Sequence, residues 1–117
     1  MQGVTASYEM TQLTYYTLAV AACTAPTLSA SPASPSAAGT KVVATATTSG
    51  CANPRYRFWV QSPNGVWAMV QDYSTANTFD WTTTGLAGNY NIEVDVRDQL
   101  ETSIAYDSTT KIPYTLT

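Results

Sequence analysis

The sequence predicts an all-β domain, a sandwich of two antiparallel sheets with about seven strands. Apolar and polar residues alternate from Tyr90 to Arg97, and a period of two indicates a strand with one buried and one solvated face. Short segments rich in Val, Thr and aromatic residues recur between turns such as residues 62–65, Ser-Pro-Asn-Gly, which is typical of consecutive antiparallel strands. No segment shows a convincing helical period. The chain has 117 residues, enough for one domain with its own core.

The strands are expected one after another along the chain. Six of them cover residues 27–31, 40–48, 56–61, 66–73, 78–82 and 90–97, and a long seventh strand follows a turn at 98–100 and ends at Leu116. Pro113 lies in this last strand and donates no ladder hydrogen bond, so the strand is predicted to lie at a sheet edge or to contain a bulge.

The strand that begins at Tyr90 is expected to be the centre of the fold. Its side chains Tyr90, Ile92 and Val94 point to one face, which we predict to be buried. The preceding residues 86–90, Leu-Ala-Gly-Asn-Tyr, form a turn that delivers the tyrosine to the strand. In immunoglobulin-like sandwiches such a tyrosine packs its ring inside and bonds its hydroxyl to nearby backbone. We therefore expect an immunoglobulin-like sandwich.

Small residues on one strand predict large residues nearby in the core. Val42, Ala44 and Ala46 share one face of their strand, and Phe79 and Trp81 share one face of theirs. These two rings are expected to fill the space that the alanines leave. The residues of the 56–61 strand that we predict to be inside are Tyr56, Phe58 and Val60.

The composition excludes several classes of function. Charged residues make up only 11% of the chain, and the net charge is −3, so no basic field attracts nucleic acid or an anionic membrane. No stretch approaches the ~20 apolar residues of a spanning helix, and membrane insertion is not expected. The chain has no histidine, which removes the commonest general base and zinc ligand. No catalytic residue, cofactor or metal is predicted.

The two cysteines, Cys23 and Cys51, are predicted to form one disulfide. A surface rich in Thr and Ser with few lysines suits an oxidising, extracellular compartment, where such a bond persists. The alternative is a pair of free buried thiols.

The N-terminal segment resembles the C-terminal strand. Residues 4–18 match residues 102–116 without gaps, in the pairs Tyr8 with Tyr106, Glu9 with Asp107, Thr11 with Thr109, and 16–18 with 114–116, both Tyr-Thr-Leu. The pattern predicts residues 1–22 to be a strand and linker from a preceding repeat, and residues 23–117 to be the sandwich domain. The alternative is two unrelated edge strands.

The sequence resembles a family over residues 23–117. Four segments, residues 31–40, 50–60, 70–81 and 84–90, which read SPASPSAAGT, GCANPRYRFWV, VQDYSTANTFDW and TGLAGNY, are similar to those of the immunoglobulin-like repeat modules of large secreted or surface bacterial proteins. The resemblance implies an extracellular or cell-surface location and a spacer or display role without catalytic residues. Lys-Ile-Pro at 111–113 departs from the family pattern.

Two groups of outward residues suggest binding. Glu93 and Asp95 lie two residues apart on one strand face, a spacing that suits a cation or a catalytic carboxylate pair. The simpler interpretation is a solvated face on which Arg57 and Arg97 pair with the acids. Outward aromatics are a second possibility, because rings on a sheet face can stack on sugars. The candidates are Trp59, Trp67 and Tyr73, which could instead cover a sheet edge or pack against the extra strand.

These observations favour a non-catalytic module that acts in spacing, adhesion or self-association, with neighbouring copies or repeats as its partners. A second hypothesis is a subunit that polymerises by donating residues 4–18 to another copy. A third is a carbohydrate-binding module with glycans as partners.

Overall fold

The computed structural model describes residues 20–83 and 85–117. The predicted extra strand at 4–18, and all but the last three residues of the predicted 1–22 segment, lie outside the described residues. Within the described part, no helix has the length and apolar character needed to cross a membrane.

Seven strands make up the described fold. They are β1 (Thr27–Ser31), β2 (Lys41–Thr47), β3 (Pro54–Gln61), β4 (Trp67–Ser74), β5 (Thr78–Thr82), β6 (Gly88–Asp98) and β7 (Ser108–Leu116). One sheet has the order β1-β2-β5 and the other the order β4-β3-β6-β7, and all pairings between these strands are antiparallel. The predicted all-β sandwich of two antiparallel sheets is confirmed.

The position of β4 follows from the turn that precedes it. In immunoglobulin constant-type domains the fourth strand joins the sheet of the first, second and fifth strands, but here β4 pairs with β3. The amide of Gly65 donates to the carbonyl of Ser62 at 2.9 Å, and the amide of Ser62 donates to Val66 at 2.9 Å. Gly65 has a φ of +88°, a left-handed conformation that glycine adopts without steric cost. This tight turn returns the chain directly alongside β3.

The start of the last strand differs from the prediction. Residues 99–107 form a connection, and β7 begins only at Ser108. Carbonyl groups in this connection accept hydrogen bonds from arginine side chains instead of a neighbouring strand: Arg97 donates to Ile104 at 2.6 Å and Arg57 to Ala105 at 3.4 Å. The prediction of a long strand from residue 101 onward is therefore wrong. Among the seven described strands only β6 pairs with β7 in the sheet, which confirms the predicted edge position of β7.

The core lies between the two sheets and consists mainly of the residues that alternate inward along the strands. Its fully or largely buried members are Cys23, Val42, Ala44, Ala46, Tyr56, Phe58, Val60, Trp81, Tyr90, Ile92, Val94, Val96, Tyr114 and Leu116. All the residues predicted to face inward from the 56–61 strand and from the start of β6 are among them.

Three aromatic contacts join the sheets. Phe79 of β5 lies opposite Ala44 of β2. Its ring stacks on Phe58 of the other sheet, with ring centroids 5.9 Å apart. Trp81 meets Tyr90 at 5.0 Å and Tyr114 at 5.7 Å, both edge to face, a favoured geometry for aromatic pairs. The predicted filling of the space beside the alanines by Phe79 and Trp81 is confirmed.

The turn before β6 has the predicted tyrosine arrangement. Tyr90 is 7% exposed, and its hydroxyl donates a 2.8 Å hydrogen bond to the carbonyl of Leu86. The ring therefore fills the core while its polar end is satisfied by backbone four residues earlier.

The chain enters and leaves the domain at opposite ends. Before β1, the amide of Thr24 donates to the carbonyl of Ser49 at 2.8 Å, in the connection that follows β2. After β7, the amide of Thr117 donates to the carbonyl of Ser36 at 2.9 Å, in the connection that precedes β2. Because these two connections flank β2, they lie at opposite ends of the sandwich.

Candidate functional site

The outer face of the four-stranded sheet carries the polar and aromatic residues that sequence patterns place there. Strand register brings them into rows across the sheet: Met69, Trp59, Glu93 and Lys111 form one row, and Arg57, Asp95 and Thr109 form the next. Trp67 pairs with Gln61 in the row on the other side of Trp59. Side chains of adjacent rows on one face lie within reach of each other.

A shallow cavity of about 310 Å³ opens on this face. Its lining residues are Arg57, Trp59, Trp67, Glu93, Asp95 and Tyr106. Five of them come from β3, β4 and β6, and Tyr106 comes from the connection between β6 and β7. Two of the three aromatic candidates, Trp59 and Trp67, therefore meet at one cavity with the acid pair.

Asp95 forms the floor of the cavity and is only 2% exposed. Its Oδ2 atom accepts hydrogen bonds from Arg57 Nη2 at 3.0 Å, Arg57 Nε at 3.2 Å and Trp59 Nε1 at 2.9 Å. Its Oδ1 atom accepts from Thr109 Oγ1 at 2.9 Å. A buried carboxylate needs such partners to offset lost hydration.

This burial corrects one prediction. A solvated strand face was expected around the acids, but the large side chains of Arg57 and Trp59 cover Asp95. The predicted pairing of Arg57 with the acids is confirmed. The predicted role of Arg97 is not, because Arg97 stacks over the Tyr73 ring at 4.0 Å and donates to the Ile104 carbonyl.

Glu93 is the second acid that lines the cavity. Burial, and next the neighbouring Asp95 carboxylate, raise the pKa of Glu93 from 4.5 to about 7. The ammonium of Lys111, its cross-strand partner, lowers this pKa by a smaller amount. Near neutral pH the Glu93 carboxyl is thus present both protonated and ionised. The protonated form can donate a hydrogen bond, and the ionised form can only accept.

Tyr73 has a different position from the two tryptophans. Its ring contacts two guanidinium groups, with those of Arg57 and Arg97 at 4.5 Å and 4.0 Å from the ring centroid. Its hydroxyl donates to the carbonyl of Ala105, and burial raises the pKa of Tyr73 to about 12. Tyr73 fastens β4 to the β6–β7 connection and does not line the cavity.

Two residues near the cavity were not expected from the sequence. The sequence places Tyr106 in the repeated segment, but nothing local to it shows that the β6–β7 connection folds over the sheet. Lys111 places its Nζ 5.7 Å from the Trp67 ring centroid. The register that brings them together was not available from the sequence alone.

A disulfide joins Cys23 and Cys51, with a sequence separation of 28, as predicted. It ties the chain before β1 to the β2–β3 connection, whereas the disulfide of antibody domains joins the two sheets. The amide of Cys23 also donates to Asp107 Oδ2 at 2.9 Å. The bond hints at an oxidising, extracellular compartment.

Across residues 20–83 and 85–117, no three His, Cys, Asp or Glu side chains are grouped so that they could hold a metal ion. Comparison with protein-family models, with curated proteins and with solved structures finds no match for this chain.

Proposed function

We propose that this chain is a non-catalytic immunoglobulin-like module of a secreted or cell-surface bacterial protein, in which it spaces or displays other parts. The observation that carries the proposal is that the chain enters and leaves at opposite ends of the sandwich. The termini of many domains lie close together. A module with termini at opposite ends instead adds its full length to a string of modules.

Both ends of the domain are fastened to its body, which suits a module that transmits tension. Where the chain enters, the Cys23–Cys51 disulfide and the Asp107 hydrogen bond hold it. Where the chain leaves, Thr117 exchanges backbone hydrogen bonds with Ser36 and Ala38, at 2.9 and 3.0 Å. Tension applied to the termini therefore reaches the strands directly.

The repeated segment supports an array of such modules. The residues of the C-terminal copy that recur near the N-terminus have structural roles in β7 and just before it. Asp107 accepts the Cys23 amide, Thr109 bonds Asp95, and Tyr114 is 1% exposed and donates to Pro32 at 2.6 Å. The two copies are offset by 98 residues, which is 106 minus 8 and close to the length of one sandwich.

Solution scattering from two full-length copies joined in tandem tests the spacer role. Because each copy contributes its long axis, we expect a maximum dimension about twice that of the single chain, given strands that rise about 3.3 Å per residue. Two domains packed side by side would contradict the proposal. So would a hydrolytic or transferase activity that survives purification and is lost on substitution of one residue.

Self-association is the second candidate, and the same repeat favours it. Residues 4–18 carry the residue types of β7, so we expect them to pair as an added strand with an exposed sheet edge of another copy. Light scattering of the full chain and of a variant lacking residues 1–18 tests this. A concentration-dependent oligomer that needs residues 1–18 is expected, and monomers in both cases would exclude it.

A further inference from the structure

We infer that the cavity on the outer face of the four-stranded sheet is a binding site for a neutral saccharide. This goes beyond the spacer role and does not depend on it. The cavity volume of about 310 Å³ lies at the lower end of the range for ligand pockets, about 300–1,000 Å³. A shallow site of this size suits one or two sugar rings of an extended chain.

The walls of the cavity supply apolar surface of the kind that a pyranose ring uses. Trp59 on β3 and Trp67 on β4 are both half-buried and line the cavity together with the exposed Tyr106. The C–H groups of a sugar ring pack on aromatic faces through dispersion and burial of apolar area.

The cavity is preorganised by the buried carboxylate beneath it. Asp95 fixes the indole of Trp59 through Nε1 and the guanidinium of Arg57 through two nitrogens. The Arg57 guanidinium also lies over the rings of Trp59 and Tyr73, at 5.2 and 4.5 Å from their centroids. Because these groups are already held, a ligand loses less free energy in ordering them.

Hydrogen-bonding groups for sugar hydroxyls remain on the same floor. Asp95 is occupied by its three partners, but the Glu93 carboxyl faces the cavity beside it. A sugar hydroxyl both donates and accepts, so it can bond Glu93 in either protonation state. The phenolic hydroxyl of Tyr106, which also lines the cavity, can do the same.

The charges around the cavity favour a neutral ligand over an ion. Arg57 compensates Asp95 at 3.0 Å, and Lys111 lies across the strand pair from Glu93. An anion would therefore be repelled by the carboxylates, and a cation by Arg57 and Lys111, which lie 5.2 and 5.7 Å from the centroids of the Trp59 and Trp67 rings. A neutral sugar carries no charge that the carboxylates or the two cations would repel.

Titration of the isotope-labelled full chain with soluble oligosaccharides tests the inference. The neutral probes are cellotetraose, xylotetraose, mannotetraose, laminaritetraose and chitotetraose, and the charged probes are tetragalacturonate and glucosamine tetramer, each to about 10 mM. The chain has three tryptophans, so the indole N–H signals report on the cavity and on the core separately. We expect at least one neutral probe to shift the signals of Trp59 and Trp67 saturably and to leave that of the buried Trp81 in place.

Two variants complete the test. Trp67→Ala removes a cavity wall on an edge strand and is expected to weaken binding by about tenfold or more, whereas Leu100→Ala, at a residue 66% exposed and outside the cavity, should bind like the wild type. No shift with any neutral probe would overturn the inference. So would equal binding of the charged probes, or full affinity in Trp67→Ala.

Discussion

The guanidinium of Arg57 lies 3.0 Å from the carboxylate of Asp95, and the Asp95 side chain is only 3% exposed. Asp95 also accepts the indole N–H of Trp59, so one buried carboxylate satisfies two side chains of β3. Asp95→Ala is expected to lower the free energy of unfolding by about 3 kcal/mol, because it leaves Arg57 without its counter-ion in a mostly buried position. Chemical denaturation measures this.

An exposed ion pair within the described residues is the matched control. Lys41 and Asp80 lie 3.2 Å apart with side chains 63% and 59% exposed, and solvent-exposed pairs contribute about 0–1 kcal/mol. Lys41→Ala should therefore change stability by less than about 1 kcal/mol. Equal effects of the two substitutions would show that Asp95 is not buried as described.

Glu93 is predicted to make the folded chain less stable as the pH rises towards 7. Its pKa is raised from 4.5 to about 7 in the folded state, so between these values the folded state binds more protons than the unfolded state. The stabilising contribution of Glu93 is therefore fully present below about pH 4.5 and is lost as the pH rises through about 7. Glu93→Gln should be more stable than the wild type above pH 7 by about 1 kcal/mol, a value reduced for solvent screening at this partly exposed carboxyl.

The difference in the free energy of unfolding between the wild type and Glu93→Gln isolates the effect of Glu93 from that of other titrating groups, such as Asp98. Hydrogen bonds from the backbone amides of Leu100 and Asn53 lower the pKa of Asp98, which acts in the opposite direction at acid pH in both proteins. Denaturation of wild type and Glu93→Gln at several pH values between 4 and 8 gives the comparison. A difference that does not change over this range would contradict the arrangement of Glu93 beside Asp95.

The Tyr90 hydroxyl is predicted to stabilise the turn before β6. Tyr90→Phe keeps the ring in the core but removes the hydrogen bond to Leu86, at an expected loss of about 1 kcal/mol. Tyr106→Phe, at a tyrosine that is 45% exposed, should change stability by less than about 0.5 kcal/mol. Thermal denaturation of both variants distinguishes the two positions, and equal effects would contradict the tyrosine turn.

Reduction of the disulfide is predicted to lower the stability of the domain by about 3–4 kcal/mol, the chain-entropy estimate for a loop of this length. The bond closes the segment from Cys23 to Cys51, and reduction also releases the chain before β1. Melting with and without reductant measures the change. A Cys23→Ser/Cys51→Ser variant should be as unstable as the reduced protein and insensitive to reductant; a variant that reductant destabilises further would refute this.

Local patterns in the sequence were sufficient for the fold class and for most of the strand positions. The alternation from Tyr90 onward, the small residues of β2 and the Leu-x-Gly-x-Tyr turn each act over a few residues, so they could be read without knowing the sheet order. The burial of Asp95 could not be read in this way, because it depends on Arg57 and Trp59 from a neighbouring strand. The cavity depends on register as well, including the irregular pairing of β3 with β4 around Phe58.

The distance between the two ends of the domain is the most direct measurement of its proposed role. Nitroxide labels can be introduced at residues 22 and 117 on a non-cysteine amino acid, so that the Cys23–Cys51 bond stays intact. The long strands have nine to eleven residues. At a rise of about 3.3 Å per residue they separate the two ends of the sandwich by roughly 30–35 Å. Pulsed dipolar spectroscopy should give a distance near this value, and a separation below about 15 Å, less than half a strand length, would place both termini at one end and contradict the spacer role.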